Sequence, residues 1–377
     1  MRGRLLAAAP LAAGVLALMR RDLITLRPEG LYCEAGGFHI DPWRPVERAL
    51  ITHAHADHAR SGHRHYLAAE SAAAVMRARL GPVSLQTLAW GERLLLGDVC
   101  VSLHPAGHIL GSAQVRVEHR GEVWVVSGDY KLEADPTCAP FEPVRCHTFI
   151  TESTFGLPVY RWQPDPATMA EIATWWTDNA ARGQASVLLC YALGKAQRVL
   201  AGLARAQALS GPVIAHGAVA TVNAAYRASG VSLPDTISSA DWRRADGQTL
   251  PLVIAPPSAA GSPWLSRFGT ASIAFASGWM RVRGARRRRA LDRGFVLSDH
   301  ADWPGLLRAI ESTGATKIIV THGFEAAIVR YLGERGLEAQ ALRTEFGGEA
   351  GADAESVEGR AEGLASREAG EARAAGE

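Results

Sequence analysis

The chain has 377 residues, 47% of them apolar and 21% charged, with a formal net charge of +2. This balance excludes a disordered chain, a disulfide-stapled miniature and a multi-span membrane protein, and the length fits several domains or one core with an inserted lobe. The total charge hides a split. The last stretch, from Gly347 to Glu377, carries eight acids against three arginines, and setting aside its −5 leaves a body of about +7, which suits a polyanionic partner.

Arg2 and Arg4 precede an uncharged run from Leu5 to Leu18. The run looks like a secretory leader but is short for a membrane span and lacks a small-residue cleavage site. The preferred reading is a start at Met19, with 1–21 an N-terminal extension of a cytoplasmic protein that does not enter the membrane. Leu26 to Leu50 reads as short strands and turns, Arg48 to Thr52 as a strand running into His53, and Ala-rich Leu67 to Leu80 as a helix. Val99–Leu103, Gln114–Val117, Glu122–Val126 and Thr148–Thr151 read as strands. Helices are expected over Pro164–Ala181 and Gly194–Leu209, and strands at Ser186–Cys190, Val213–Ala215, Leu252–Ala255, Ser272–Ala276, Phe295–Leu297 and Lys317–Val320. The alternation is that of an α/β protein. Beyond Phe346 there is too little apolar material to offset ordering entropy, so the tail is expected to be disordered.

His53, Asp129, Glu152, His300 and His322 each fall just past an expected apolar strand, where a layered α/β protein presents side chains to a shared cleft. The strongest single signal is Thr52-His53-Ala54-His55-Ala56-Asp57-His58, four ligand-capable side chains within six residues. Imidazole nitrogen and carboxylate oxygen suit zinc. On a tight loop His53 and His55 can face one ion, Asp57 and His58 a second. His108 between Gly107 and Gly111, Asp129 with two oxygens able to bridge, and His322 would complete the set. The five cysteines (33, 100, 138, 146 and 190) are odd in number and lack C-x-x-C spacing, so they are read as reduced thiols outside the metal set. His39, His104, His119, His147 and His216 lack ligand spacing, and His63 and His65 are read as solvated.

This set resembles the metallo-β-lactamase superfamily, and Glu152 in Ile150–Gly156, His300 in Leu297–Asp302 and His322 resemble the three further positions of its β-CASP nuclease branch. Tyr191–Gln197 and Ala276–Trp279 match β-CASP landmarks. Phe38–Trp43 and Trp124–Lys131 are similar to the bacterial DNA ligase-associated exonucleases, also named mRNA 3′-end processing factors. The resemblance covers roughly 22–346. It implies an αββα sandwich (22–155 and 291–346), a β-CASP-like α/β insert (156–290) and a tail (347–377). It also implies a nuclease that uses two zinc ions, or manganese, with a DNA ligase and a helicase-like protein as partners.

In that chemistry His300 is the candidate general acid, oriented by Glu152, while Asp57 and Asp129 are better ligands than bases. The segment 281–289 holds six arginines (Arg281, Arg283, Arg286, Arg287, Arg288 and Arg289), a phosphate track in prospect; Lys195, near a helix start, is a further phosphate contact. Tyr160 and Trp162 could stack bases, but packing of the insert on the core is preferred. The expected activity is DNA exonuclease. RNA 3′-end processing is the alternative, since DNA-acting enzymes of the Artemis type carry valine where this chain has His322. A small-molecule metallo-hydrolase such as a thioesterase is more distant, because its substrate needs no phosphate track, and an inactive scaffold would have lost ligands.

Overall fold

The computed structural model describes residues 22–243, 249–282 and 292–346. Two sheets face one another across an apolar layer. The first is formed in sequence order by β1 (Thr25–Arg27), β2 (Gly30–Cys33), β3 (Phe38–Ile40), β4 (Arg48–Leu50), β5 (His65–Ala69) and β6 (Leu85–Leu88), antiparallel to β3 and parallel thereafter. The second holds β7 (Leu94–Leu96), β8 (Val99–Pro105), β9 (Ala113–His119), β10 (Glu122–Val126), β11 (Thr148–Ser153), β18 (Lys317–Gly323) and β19 (Glu338–Ala341), ordered 19-18-11-10-9-8-7. Side chains alternate across a strand, and in β10 Trp124 and Val126 join the inter-sheet core while Val123 and Val125 face the opposite layer. That layer is α5 (Trp303–Thr313) and α6 (Glu325–Gly333), which bury Leu306, Ile310, Ile328 and Leu332. Burial on both faces is why these strands read as nearly unbroken apolar runs.

A third sheet is wholly parallel, ordered 14-13-15-12-16-17: β12 (Ala185–Leu189), β13 (Val213–Ala215), β14 (Ile237–Ser238), β15 (Leu252–Ala255), β16 (Ala271–Ala276) and β17 (Arg293–Phe295). One face is covered by α2 (Asp165–Ala181), α3 (Lys195–Arg205) and α4 (Gly217–Ala228), with Met169, Ile172, Trp176, Leu200 and Val219 in the shared core. Val222 and Tyr226 of α4 also pack with Tyr66 of the first sheet and with Val75 and Met76, which follow it in the chain. The third sheet therefore abuts the two-sheet body, and β17 belongs to it although it lies just beyond the expected insert boundary at 290.

Three expectations change. Leu67–Leu80 is not one helix: β5 runs to Ala69, a short turn follows, and α1 spans Ala73–Leu80. The period-2 split of Tyr66 and Ala68 to one core, Leu67 and Ala69 to the other, overrides the helix-forming alanines. Glu152 and His322 lie inside β11 and β18 rather than past them, near a register shift between Thr151 and Ser153. α4, α5 and α6 also went unread. The expected N-terminal extension and the tail expected to be disordered both lie outside the described residues. Among the described residues no helix is long and apolar enough to cross a membrane.

Candidate metal centre

The loop after β4 is pinned before it turns. Ile51 N–H donates to Leu67 O (2.8 Å), Thr52 N–H to Asp41 Oδ1 (2.7 Å), and Ala59 N–H back to His55 O (2.8 Å). The last bond closes the turn that folds Asp57 and His58 back beside His53. Asp41 itself is held at φ 44°, in the left-handed region, and its Oδ2 lies 2.7 Å from His58 Nδ1. His108 stands on a second loop, where Ser112 Oγ accepts the N–H groups of His108 (3.0 Å) and Ile109 (3.2 Å). Gly107 sits at φ +75°, and a Cβ there would lie 2.2 Å from Lys131 O, so the close approach of this loop to 129–131 requires glycine.

Asp129 is the point of convergence. Its Oδ2 lies 3.5 Å from His53 Nε2, 3.5 Å from His58 Nε2 and 3.9 Å from His108 Nε2; its Oδ1 lies 3.1 Å from His322 Nε2. His55 Nδ1 is 3.1 Å from His108 Nε2, and Asp57 Oδ2 is 3.8 Å from His58 Nε2. Two donor groups share Asp129: His53, His55 and His108 on one side, His58 and His322 on the other. A third compact group joins Asp129 to Glu152 and His300.

The second nitrogen of each ring is taken. His53 Nδ1 meets Thr52 Oγ1 (3.0 Å), His55 Nε2 meets Leu193 O (3.2 Å), His108 Nδ1 meets Asp299 O (2.8 Å) and His322 Nδ1 meets Thr321 Oγ1 (3.0 Å). These partners fix ring orientation in the way that supports metal ligands. The inward atoms His53 Nε2, His58 Nε2, His322 Nε2 and Asp129 Oδ1 are buried without a hydrogen-bond partner. Burying four polar atoms unsatisfied is costly, and a cation between them removes that cost, so the residues fit metal ions.

Charge agrees with this in the first donor group; at His58 it opposes it, since burial would lower the imidazole but Asp129, Asp57 and Asp41 outweigh it and raise it to about 10, so an ion there must displace a proton. Burial, with neighbouring imidazoles, holds His53 and His108 well below the usual histidine range, and burial lowers His55. Neutral imidazole is the ligating form. Burial would raise the Asp129 carboxyl, but His58, His300 and His322 outweigh it and hold it well below the usual carboxylate range.

His300 approaches the same carboxylate, its Nδ1 4.0 Å from Asp129 Oδ2. Its Nδ1 lies 2.9 Å from Glu152 Oε2 and 3.1 Å from Oε1, and Oε1 also accepts the Tyr130 N–H (2.9 Å). Phe155, Tyr160, Trp162 and Trp279 pack beside it, and Trp162 Nε1–H donates to His300 O (2.9 Å). Tyr160 and Trp162 are thus packing residues.

The chain is 35% identical over 319 residues, 83% of its length, to a protein of Opitutus terrae named probable DNA ligase, and spans 30% of that protein. It is 30% identical over 121 residues to endoribonuclease ysh1 of Aspergillus fumigatus, covering 31% of this chain and 13% of that one. It is 28% identical over 191 residues to a ribonuclease of Thermus thermophilus, 43% of this chain and 44% of that one. These relatives are consistent with the β-CASP nucleases of the metallo-β-lactamase superfamily. No family model matches it.

The phosphate contacts expected from the sequence are placed unevenly. Arg281 is exposed, its Nε–H donating to Val159 O (3.4 Å). Arg283, Arg286, Arg287, Arg288 and Arg289 lie outside the described residues. Lys195 corrects the expectation: it is 0% exposed, its Nζ 3.6 Å from Asp299 Oδ2 and stacked over Tyr191, so it presents no ammonium to a phosphate. Sequence reasoning passed over Asp41, although it follows β3 as Asp129 follows β10. It also passed over Asp299, one residue from His300, and Phe346, whose ring stacks on His58 (4.5 Å, 7°).

His63 is a further correction, being buried rather than solvated, with Val46 N–H donating to its Nδ1 (3.3 Å). Burial lowers its pKa to about 4. The unfolded chain then binds a proton near pH 6.5 that the folded chain refuses, so stability is lost as pH falls from about 6.5 towards 4. Denaturant titration across that window should show His63→Gln losing less stability than the parent. The difference is on the order of 1 kcal/mol. Parallel curves would mean that His63 carries none of the acid sensitivity.

Proposed function

We propose that this β-CASP-like chain is a two-zinc phosphodiesterase that shortens DNA strands as an exonuclease working with a DNA ligase in repair. The observation that carries it is the Asp129 carboxylate, with imidazoles gathered at both of its oxygens and the Glu152–His300 pair alongside. His53, His55, His108 and Asp129 would hold one ion; Asp57, His58, Asp129 and His322 the other, with manganese able to substitute. When bound, the ions supply electrophilic charge for the phosphate oxygens and acidify a water towards neutral pH.

The protein's own groups do the rest. Glu152 accepts the Nδ1–H of His300, which sets the ring to protonate the departing sugar oxygen from its other nitrogen. The aromatic wall of Phe155, Trp162 and Trp279 keeps bulk water from that ring. The facing sheets with outer helices support the reading as an αββα sandwich, 22–155 and 291–346, and the parallel third sheet the reading of 156–290 as the β-CASP insert. The arginines of 281–289 would follow the strand backbone. A ligase and a helicase-like protein in the cytoplasm are the proposed partners; the match within a ligase-named protein supports the first.

RNA processing is the second reading, favoured by His322 and the ribonuclease relatives. The zinc-loaded protein should be given end-labelled single-stranded DNA, RNA of the same sequence and a thioester. Stepwise loss of nucleotides, fastest on DNA, is expected. Faster cleavage of RNA selects the second reading, and thioester turnover without cleavage of either strand rejects both.

A further inference from the structure

Behind the metal centre lies a cluster of charges that the hydrolytic chemistry does not use. Lys195, Arg198 and Asp299 are each 2% exposed or less. Lys195 Nζ is 3.6 Å from Asp299 Oδ2, and Arg198 Nη1 is 3.2 Å from Asp299 Oδ1 and donates to Ser298 O. The other edge of the Arg198 guanidinium grips Asp165 through Nε (2.6 Å) and Nη2, with Asp135 Oδ2 at 3.7 Å. A planar fork held on both edges fixes the segment it touches far better than a point charge.

Two backbone carbonyls flank this cluster, and each orients an imidazole of the same donor group. Leu193 O, two residues before Lys195, meets His55 Nε2 at 3.2 Å; Asp299 O meets His108 Nδ1 at 2.8 Å. Between them Gly194, at φ +93°, lies so close to the His108 loop that a Cβ would stand 2.3 Å from Ile109 Cγ2. Ser298 Oγ accepts the His300 N–H (3.1 Å), so the same segment also sets the candidate acid.

We propose that Lys195, Arg198 and Asp299 form a positioning clamp, through which helix α3 aims His55 and His108 at their shared ion and holds the His300 segment. The proposal rests on the metal-centre reading above. It explains why a lysine at a helix start is buried against a carboxylate, and it makes the third sheet and its helices a structural part of the metal site. An ion pair this buried costs desolvation, and losing one member leaves the other uncompensated. Second ligand-orienting shells typically carry 10- to 100-fold in metal affinity or rate.

Lys195→Met keeps the length of the side chain and leaves Asp299 paired with Arg198; Arg198→Lys keeps the charge and loses the fork. Zinc affinities are read by chelator competition on the full chain, and kcat and KM on end-labelled DNA. Two variants on different members keep the test open if one fails to melt cooperatively. The expected result is that one of the two zinc equivalents binds about 10- to 100-fold more weakly and kcat falls by a similar factor, with KM little changed. Parental affinity for both equivalents in a cooperatively folding variant overturns the clamp. So does a rise in KM alone, which would make Lys195 a strand contact. If the parent protein binds no zinc, the metal-centre reading itself has failed; parent binding with unaffected variants removes only the clamp.

Discussion

His300→Ala is expected to strip turnover while both metal ions stay. The His300 ring is 2% exposed and its Nδ1 is engaged by both Glu152 oxygens at 2.9 and 3.1 Å, hydrogen-bond rather than ligand geometry for a carboxylate–imidazole pair. Its Nδ1 stands 4.0 Å from Asp129 Oδ2, farther than the facing nitrogens of His53, His58, His108 and His322 stand from that carboxylate. Removing the ring should leave the ligands in place and take away the proton donor, and general acid catalysis is worth about 10²–10⁴-fold. The parent and variant are compared for zinc content, kcat on DNA, and hydrolysis of a p-nitrophenyl nucleotide ester, whose phenolate departs without a proton. The variant should lose much less on the ester than on DNA. Equal losses on both would deny the acid role, and departure of metal would make His300 a ligand.

The contrast between the two substrates matters because Glu152 and His300 also form a compact group with Asp129. A role in binding and a role in proton transfer predict the same loss on DNA. Only the leaving group separates them, because protonation helps a sugar alkoxide and is superfluous for a stabilised phenolate.

How much of this was legible in the sequence follows the range of the interactions. The loop from His53 to His58 could be read directly, because four ligand-capable side chains in six residues are a local signal. Asp129 and His322 could be read because each stands at or near a strand end, and His108 because glycines flank it, but the meeting of all three is a matter of topology. The clamp could not be read at all. His108 meets Asp299 across 191 positions and His55 meets Leu193 across 138, and nothing near Lys195 in sequence announces that its partner lies past β17 of the same sheet. Its position before a helix suggested a phosphate contact, and burial reversed that. His63 failed for the converse reason: Arg and Gly neighbours imply solvent, but Tyr66 and the Val46 backbone close over it. The helix expected over Leu67–Leu80 failed because alanine suits both periods and only the layers on either side decide.

Asp129→Asn is expected to remove both ions and all measurable turnover, the largest effect of any single substitution here. The change preserves shape and one acceptor oxygen but takes away the negative charge on which His53, His58, His108 and His322 converge. Neutral imidazoles alone then face two dications, and the amide turns an N–H₂ towards nitrogens that need their lone pairs for metal. A ligand that binds only the folded state stabilises it by RT ln(1 + [L]/Kd), about 4 kcal/mol per site at 1,000-fold excess over Kd. The parent protein should therefore melt well above its metal-free form when zinc is added, and the variant should show almost none of that rise, in the same buffer and at the same protein concentration. A different ligand, such as His322→Asn, touches only one of Asp129's oxygens and leaves the other donor group whole, so one equivalent and part of the rise should survive there. Full zinc-dependent stabilisation in Asp129→Asn would show that the two donor groups do not depend on a shared carboxylate, and the two-ion centre would have to be rebuilt around the imidazoles alone.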